Sequence, residues 1–84
     1  MDYKLVEVIW EDSWSDTAQL AIDSAGDFVP AERRDAGYLI KADKKRVIIT
    51  PGLISNLYLG KVFTDGIRVF PRSMVKQIRG IDGD

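Results

Sequence analysis

IRVFPRSMVKQIRGI, residues 67–81, reads as a β-strand that stops at Pro71, spends about one turn on RSM, and then resumes as strand. Proline cannot donate to a ladder, and its fixed φ suits the start of a helical turn. The stretch therefore predicts strand, one 3-10 turn, strand. In VKQIRGI, Val75 and Ile78 are expected to face inward, with Lys76, Gln77 and Arg79 in solvent.

Working outward, KLVEVIW (4–10) alternates, with Val6, Val8 and Trp10 on one face and Leu5, Glu7, Ile9 and Glu11 on the other. GYLIK (37–41) and RVIIT (46–50) flank the polar ADKK and predict a hairpin. KVFT and IRVF flank Asp65-Gly66, a pair that tolerates positive φ, and so predict a two-residue hairpin. PGLISNLYLG (51–60) opens with a turn and then reads as a short helix or an extra strand. SDTAQLAIDSAG (15–26) reads in two ways. One is a short helix capped by Ser15 or Asp16 and stopped by Gly26; the other is a long excursion packing Leu20, Ile22, Phe28 and Val29 back on the core.

Five or six short strands in 84 residues imply one mainly β domain, a small closed or nearly closed barrel. A strand, a 3-10 turn and a closing strand is how SH3-like barrels join their last two strands, with an Sm-like barrel as the close variant. The reading assigns residues 1–81 to that single domain and 82–84 to an acidic tail.

Composition removes several chemistries. With no histidine and no cysteine, the chain has no Ser-His-Asp triad, imidazole base, thiol nucleophile, disulfide or thiolate metal site. The expectation is a non-enzyme with no cofactor and no metal: the acids of EDSWSD lack the dense oxygen spacing of a calcium loop. No apolar run approaches membrane-spanning length and the charged N-terminus lacks a signal-peptide pattern, so a cytoplasmic protein is expected. The net charge of −1 is unevenly spread: residues 1–32 hold eight acids and one base, and residues 33–81 hold eleven bases and three acids. Folding either pairs these charges or leaves a two-signed surface.

Three clusters are candidate sites. Trp10, Glu11, Asp12, Trp14 and Asp16, joined by Tyr58, are expected to line a protein-binding groove where strand one enters its loop; the competing reading puts Trp10 in the core and the acids in solvent. Arg68, Arg72 and Lys76 are expected to hold a nucleotide-type anion beside the 3-10 turn, or else to be solvated edge charges. The aliphatic residues of 53–59, with Tyr58, exceed what so small a core buries and suggest an oligomer interface or docking patch, or a flap over an open barrel end. Nucleic acid is a disfavoured partner, because the sequence pI of about 5.3 is wrong for gripping a polyanion by bulk charge.

VIWEDS (8–13), AGYLI (36–40), VIITPGLIS (47–55) and VFPRSMVKQI (69–78) together resemble small proteins of bacteriophages and prophages that run V-x-W-x-D-S, a G-W-L segment, a hairpin and a late I-P-R. Residues 16–35 depart from that pattern, lacking its Gly-Trp element. The resemblance implies an SH3-like barrel of phage origin and no activity. The resulting expectation is a non-catalytic, phage-encoded accessory protein in the host cytoplasm that binds and inhibits or redirects a host protein. The alternatives are an oligomeric sponge for a nucleotide-type anion acting against host defence, a virion connector subunit, and a nucleic-acid-binding barrel.

Overall fold

A computed structural model of the chain describes residues 3–13, 15 and 17–81. Seven strands, one more than the upper expectation, run in the order β1 (Leu5–Asp12), β2 (Ala31–Ala42), β3 (Arg46–Thr50), β4 (Leu53–Asn56), β5 (Lys61–Thr64), β6 (Arg68–Pro71) and β7 (Val75–Gly80). A one-turn helix α1, Ile22–Ala25, lies between β1 and β2, and a 3-10 turn, Arg72–Met74, joins β6 to β7. Five strands form one antiparallel sheet ordered β6-β3-β2-β1-β7, while β4 and β5 pair only with each other. The two edges of the sheet, β6 and β7, are thus consecutive in the chain and linked by the 3-10 turn that PRSM predicts.

The core follows the alternation of β1. Val6 and Val8 are buried with Val47 and Ile49 of β3 and Phe70 of β6, and Trp10, Leu39, Val75 and Ile78 pack around them. Val75 and Ile78 are three residues apart, which regular pleating would send to opposite faces. A register shift resolves this: Val8 faces Ile78, but Trp10 faces Val75, so β7 carries one extra residue between them. Lys76, Gln77 and Arg79 are exposed as expected. Between β2 and β3 the backbones approach so closely that a Cβ on Gly37 would lie 2.7 Å from the Thr50 carbonyl oxygen, so only glycine fits there.

Ile9 points to the opposite face of β1 and is still only 6 % exposed. The polar side chains of the same face form an ionic network: Arg79 reaches Glu7 at 2.8 Å, Glu7 meets Arg34 at 3.5 Å, Arg34 meets Glu32 at 3.4 Å, and Lys76 joins Glu32 at 3.2 Å to Glu11 at 3.6 Å. Acids from the first third of the sequence thereby pair with bases from the remainder, which cancels part of the linear charge asymmetry in space.

Three expectations are corrected. The two-residue hairpin across Asp65-Gly66 does not form: β5 pairs with β4 and β6 pairs with β3. Gly66 does take a positive φ of 82°, so the chain turns there, but as a corner between two sheets. The Thr50 hydroxyl sits in that corner, 2.6 Å from the Gly66 carbonyl and 2.9 Å from that of Gly52, donating to one at a time. The helix of the first long loop is shorter and later than the Ser15 or Asp16 cap implies. It follows Ala21, which makes no side-chain capping bond; Ser15 lies outside it, and Asp16 lies outside the described residues. Nor does that loop bury its apolar residues, since Leu20, Ile22, Phe28 and Val29 are 43–89 % exposed.

The β4–β5 ribbon departs from the Thr50 end of β3, opposite the Arg46 end that faces Pro71 and the 3-10 turn. The molecule is long, 61 × 26 × 22 Å, with a radius of gyration of 17.3 Å, where a compact chain of this length has about 12 Å.

Candidate functional sites: a cleft and a ribbon at opposite ends of the sheet

The structure divides the expected groove residues. Trp10 is half-buried against the core, its ring centroid 5.2 Å from that of Phe70 and its Nε1 donating to Asp35 Oδ2 at 2.6 Å. The Arg33 guanidinium lies over the indole, 5.7 Å from its centroid. The indole's polar atom and much of its surface are therefore occupied by the protein itself. Tyr58 occupies the turn of the ribbon, is fully exposed, and so shares no groove with Trp10. Trp14 and Asp16 lie outside the described residues.

Glu11 and Asp12 do line a cleft. The chain leaves β1 at Asp12 and returns at its cross-strand partner Ala31, and the 3-10 turn sits beside this mouth. Glu11, Asp12, Ser13, Pro30, Ser73 and Met74 line an open cleft of about 220 Å³ there. Glu11 is paired with Lys76, and Asp12 with Arg33 at 3.7 Å, so the acidic wall is already compensated. A shallow cleft walled in part by the apolar Pro30 and Met74 suits a short segment of another protein better than a small charged ligand.

Arg68, Arg72 and Lys76 are not three free charges facing one point. Arg68 reaches Asp35 at 3.4 Å and covers the Phe70 ring. Lys76 lies between Glu32 and Glu11, whose carboxylates raise its pKa above the ordinary lysine value, by hydrogen bonding to Glu32 first. Reciprocally, Lys76 and then Arg34 hold the Glu32 carboxyl below the usual carboxylate value. Arg72 alone of the three has no carboxylate partner among the described residues. Its backbone N–H donates to the Lys45 carbonyl at 3.0 Å, which brings it beside the turn carrying Lys44 and Lys45. That turn is set by Asp43, whose carboxylate accepts the N–H groups of Lys45 and Arg46, both at 2.9 Å. The basic face near the 3-10 turn is therefore Lys44, Lys45 and Arg72.

Sequence reasoning missed Pro30, Ser73 and Met74 as cleft walls. No local motif marks them, because the cleft is assembled by the return of β2 to β1. Among the described residues, no group of three or more histidines, cysteines, aspartates or glutamates is placed to hold a metal ion, and no helix is long and apolar enough to cross a membrane.

At the other end, the ribbon exposes Ile54, Leu57, Tyr58, Leu59 and Phe63 between 43 and 101 %. The 53–59 patch expected from sequence therefore exists as an uncovered apolar arm. A flap over the sheet would have buried these side chains. No family model, curated protein or solved structure matches the chain.

Proposed function

We propose that the protein is a non-catalytic binding module of bacteriophage origin that captures a short segment of a host protein in the cleft beside its 3-10 turn, and so inhibits or redirects that protein. The observation that carries this reading is the cleft of Glu11, Asp12, Ser13, Pro30, Ser73 and Met74, whose acids are already paired and whose walls include two apolar side chains. An SH3-like architecture is the fold reading the strand order supports best: a five-stranded meander whose first strand pairs with its last, with the 3-10 turn before that last strand. On this reading the ribbon is an insertion between the third and fourth strands of the meander. The phage origin rests on the resemblance carried by VIWEDS and VFPRSMVKQI.

The anion-sponge alternative draws less support in its expected form, since Arg68 and Lys76 already hold carboxylates, and of the three expected residues only Arg72 remains, beside Lys44 and Lys45. Nucleic-acid binding draws as little, because every base of β2 and β7 already has a carboxylate partner among Glu7, Glu11, Asp12, Glu32 and Asp43. The virion-subunit reading is favoured by one observation, the protruding apolar ribbon; it predicts open-ended assembly.

The test is affinity capture from bacterial cells with tagged wild-type protein and two variants. Met74→Glu, in the cleft wall, should lose a partner that wild type retains in stoichiometric amount, and Tyr58→Ser, at the far end, should keep it. Equal retention by both variants, or no retained protein with wild type, would contradict the proposal.

A further inference from the structure

Both edges of the β4–β5 ribbon carry unpaired backbone groups, and an isolated two-stranded ribbon is marginal in water. The charges on β5 and the residue after it suggest what could complete it. Lys61 opens β5, and Asp65 follows its last residue Thr64 and bonds its N–H to the Gly52 carbonyl, so the two bracket Phe63 one residue removed on each side; neither has an ion-pair partner among the described residues. Such a strand is complementary to itself in the antiparallel direction.

We infer that β5 pairs antiparallel with β5 of a second copy, about a two-fold axis through Phe63, joining two ribbons into one four-stranded sheet. In that register Lys61 faces Asp65 of the second copy twice, once on each side of the axis, and Val62 faces Thr64. Lys61, Phe63 and Asp65 share one face by alternation, and Ile54 is the cross-strand partner of Phe63. The row across the joined sheet is therefore Ile54, Phe63, Phe63, Ile54, all apolar.

Pairing through β4 offers no such register: Leu53–Asn56 bears no charge and leaves Lys61 and Asp65 unmatched. An isologous contact closes on itself, so the product is a dimer with its two clefts left open, a bivalent form of the module proposed above.

Two measurements on the full chain test this. In analytical ultracentrifugation over a dilution series, wild type should be a dimer. Lys61→Asp or Asp65→Lys alone should weaken it about tenfold, each placing like charges opposite each other twice, and the two together should restore wild-type affinity. The second measurement uses the absence of cysteine from the chain. Phe63→Cys should form an inter-copy disulfide readily under mild oxidation. Ser55→Cys should not, because the outer strands of the joined sheet lie about 14 Å apart. A monomeric wild type, open-ended assemblies, a double reversal no tighter than either single one, or preferential linkage through position 55 would each overturn the inference.

Discussion

Strands β3 and β5 are both short, antiparallel and apolar, yet they end in opposite environments. Val47 and Ile49 of β3 are at most 1 % exposed, whereas Phe63 of β5 is 43 % exposed and its partner Ile54 on β4 is 52 % exposed. Their sequences, RVIIT and KVFT, do not explain this. Position in the sheet does: β3 is hydrogen-bonded on both sides, to β2 and β6, and packs on Phe70 and β1, while β5 has only β4. Burial is conferred by neighbours, and a strand with one neighbour keeps its hydrophobic surface available for another molecule.

This contrast can be broken most severely at Phe70, which is 2 % exposed and packs on both the β-core and Trp10. Phe70→Ala should cost about 3–5 kcal/mol in chemical denaturation, a large fraction of the stability of a domain this small. Gly37→Ala comes next. A methyl group 2.7 Å from a backbone oxygen forces β2 and β3 apart, for an expected loss of about 1–3 kcal/mol by the same assay. Leu57→Ser combined with Tyr58→Ser should change monomer stability by no more than about 0.5 kcal/mol, because neither side chain touches the sheet. If the ribbon variant proved as damaging as Phe70→Ala, the two regions would be one cooperative unit and the contrast would fail.

The smallest expected effect is on pH. Asp43 is held below its ordinary carboxylate value by the backbone N–H groups of Lys45 and Arg46, and Glu32 by Lys76. A folded-state pKa that is depressed adds stability above the unfolded value, about 4, and loses it as pH falls through the folded value. Stability measured from neutral pH downward should therefore decline in acid. Asp43→Asn should flatten part of that decline, and an unchanged slope would show that the carboxylate adds nothing there. The exposed position of both acids keeps the effect small.

Legibility followed the range of the interactions. The PRSM turn and the 46–50 strand were readable because proline geometry and alternation act within a few residues. The ADKK loop came out one residue too long, since Ala42 continues β2 and pairs with Val47. Asp65-Gly66 misled for an instructive reason. KVFT can fold back on the segment before it or the one after it; the sequence pattern points only to the Asp-Gly hairpin and leaves 53–59 as a helix or an extra strand. The first prevails: the Asn56 side chain accepts the Leu59 N–H at 3.0 Å, and β5 folds back on β4. Asp-Gly turns the chain without choosing its partner. Among the candidate sites, Glu11 and Asp12 reached the cleft because they end a strand. Arg68 and Lys76 were unreadable as ion-pair members, because Asp35 and Glu32 are 33 and 44 residues away in the chain. Tyr58 joined the wrong site for the same reason, its distance from Trp10 being set by where the ribbon leaves β3.

The most direct measurement is amide hydrogen exchange on wild-type protein at two concentrations, one dilute and one well above the dimer dissociation constant. Amides of β1, β2 and β3 should be slow at both concentrations, because those strands are paired on both sides. Amides of residues 53–64 should exchange fast in dilute solution and slow down at high concentration, with β5 gaining the most protection. Ribbon amides that are slow at both concentrations would show that the sheet and the ribbon are a single self-sufficient unit. Ribbon amides that are fast at both would show that no second copy completes it. Either result would contradict the account.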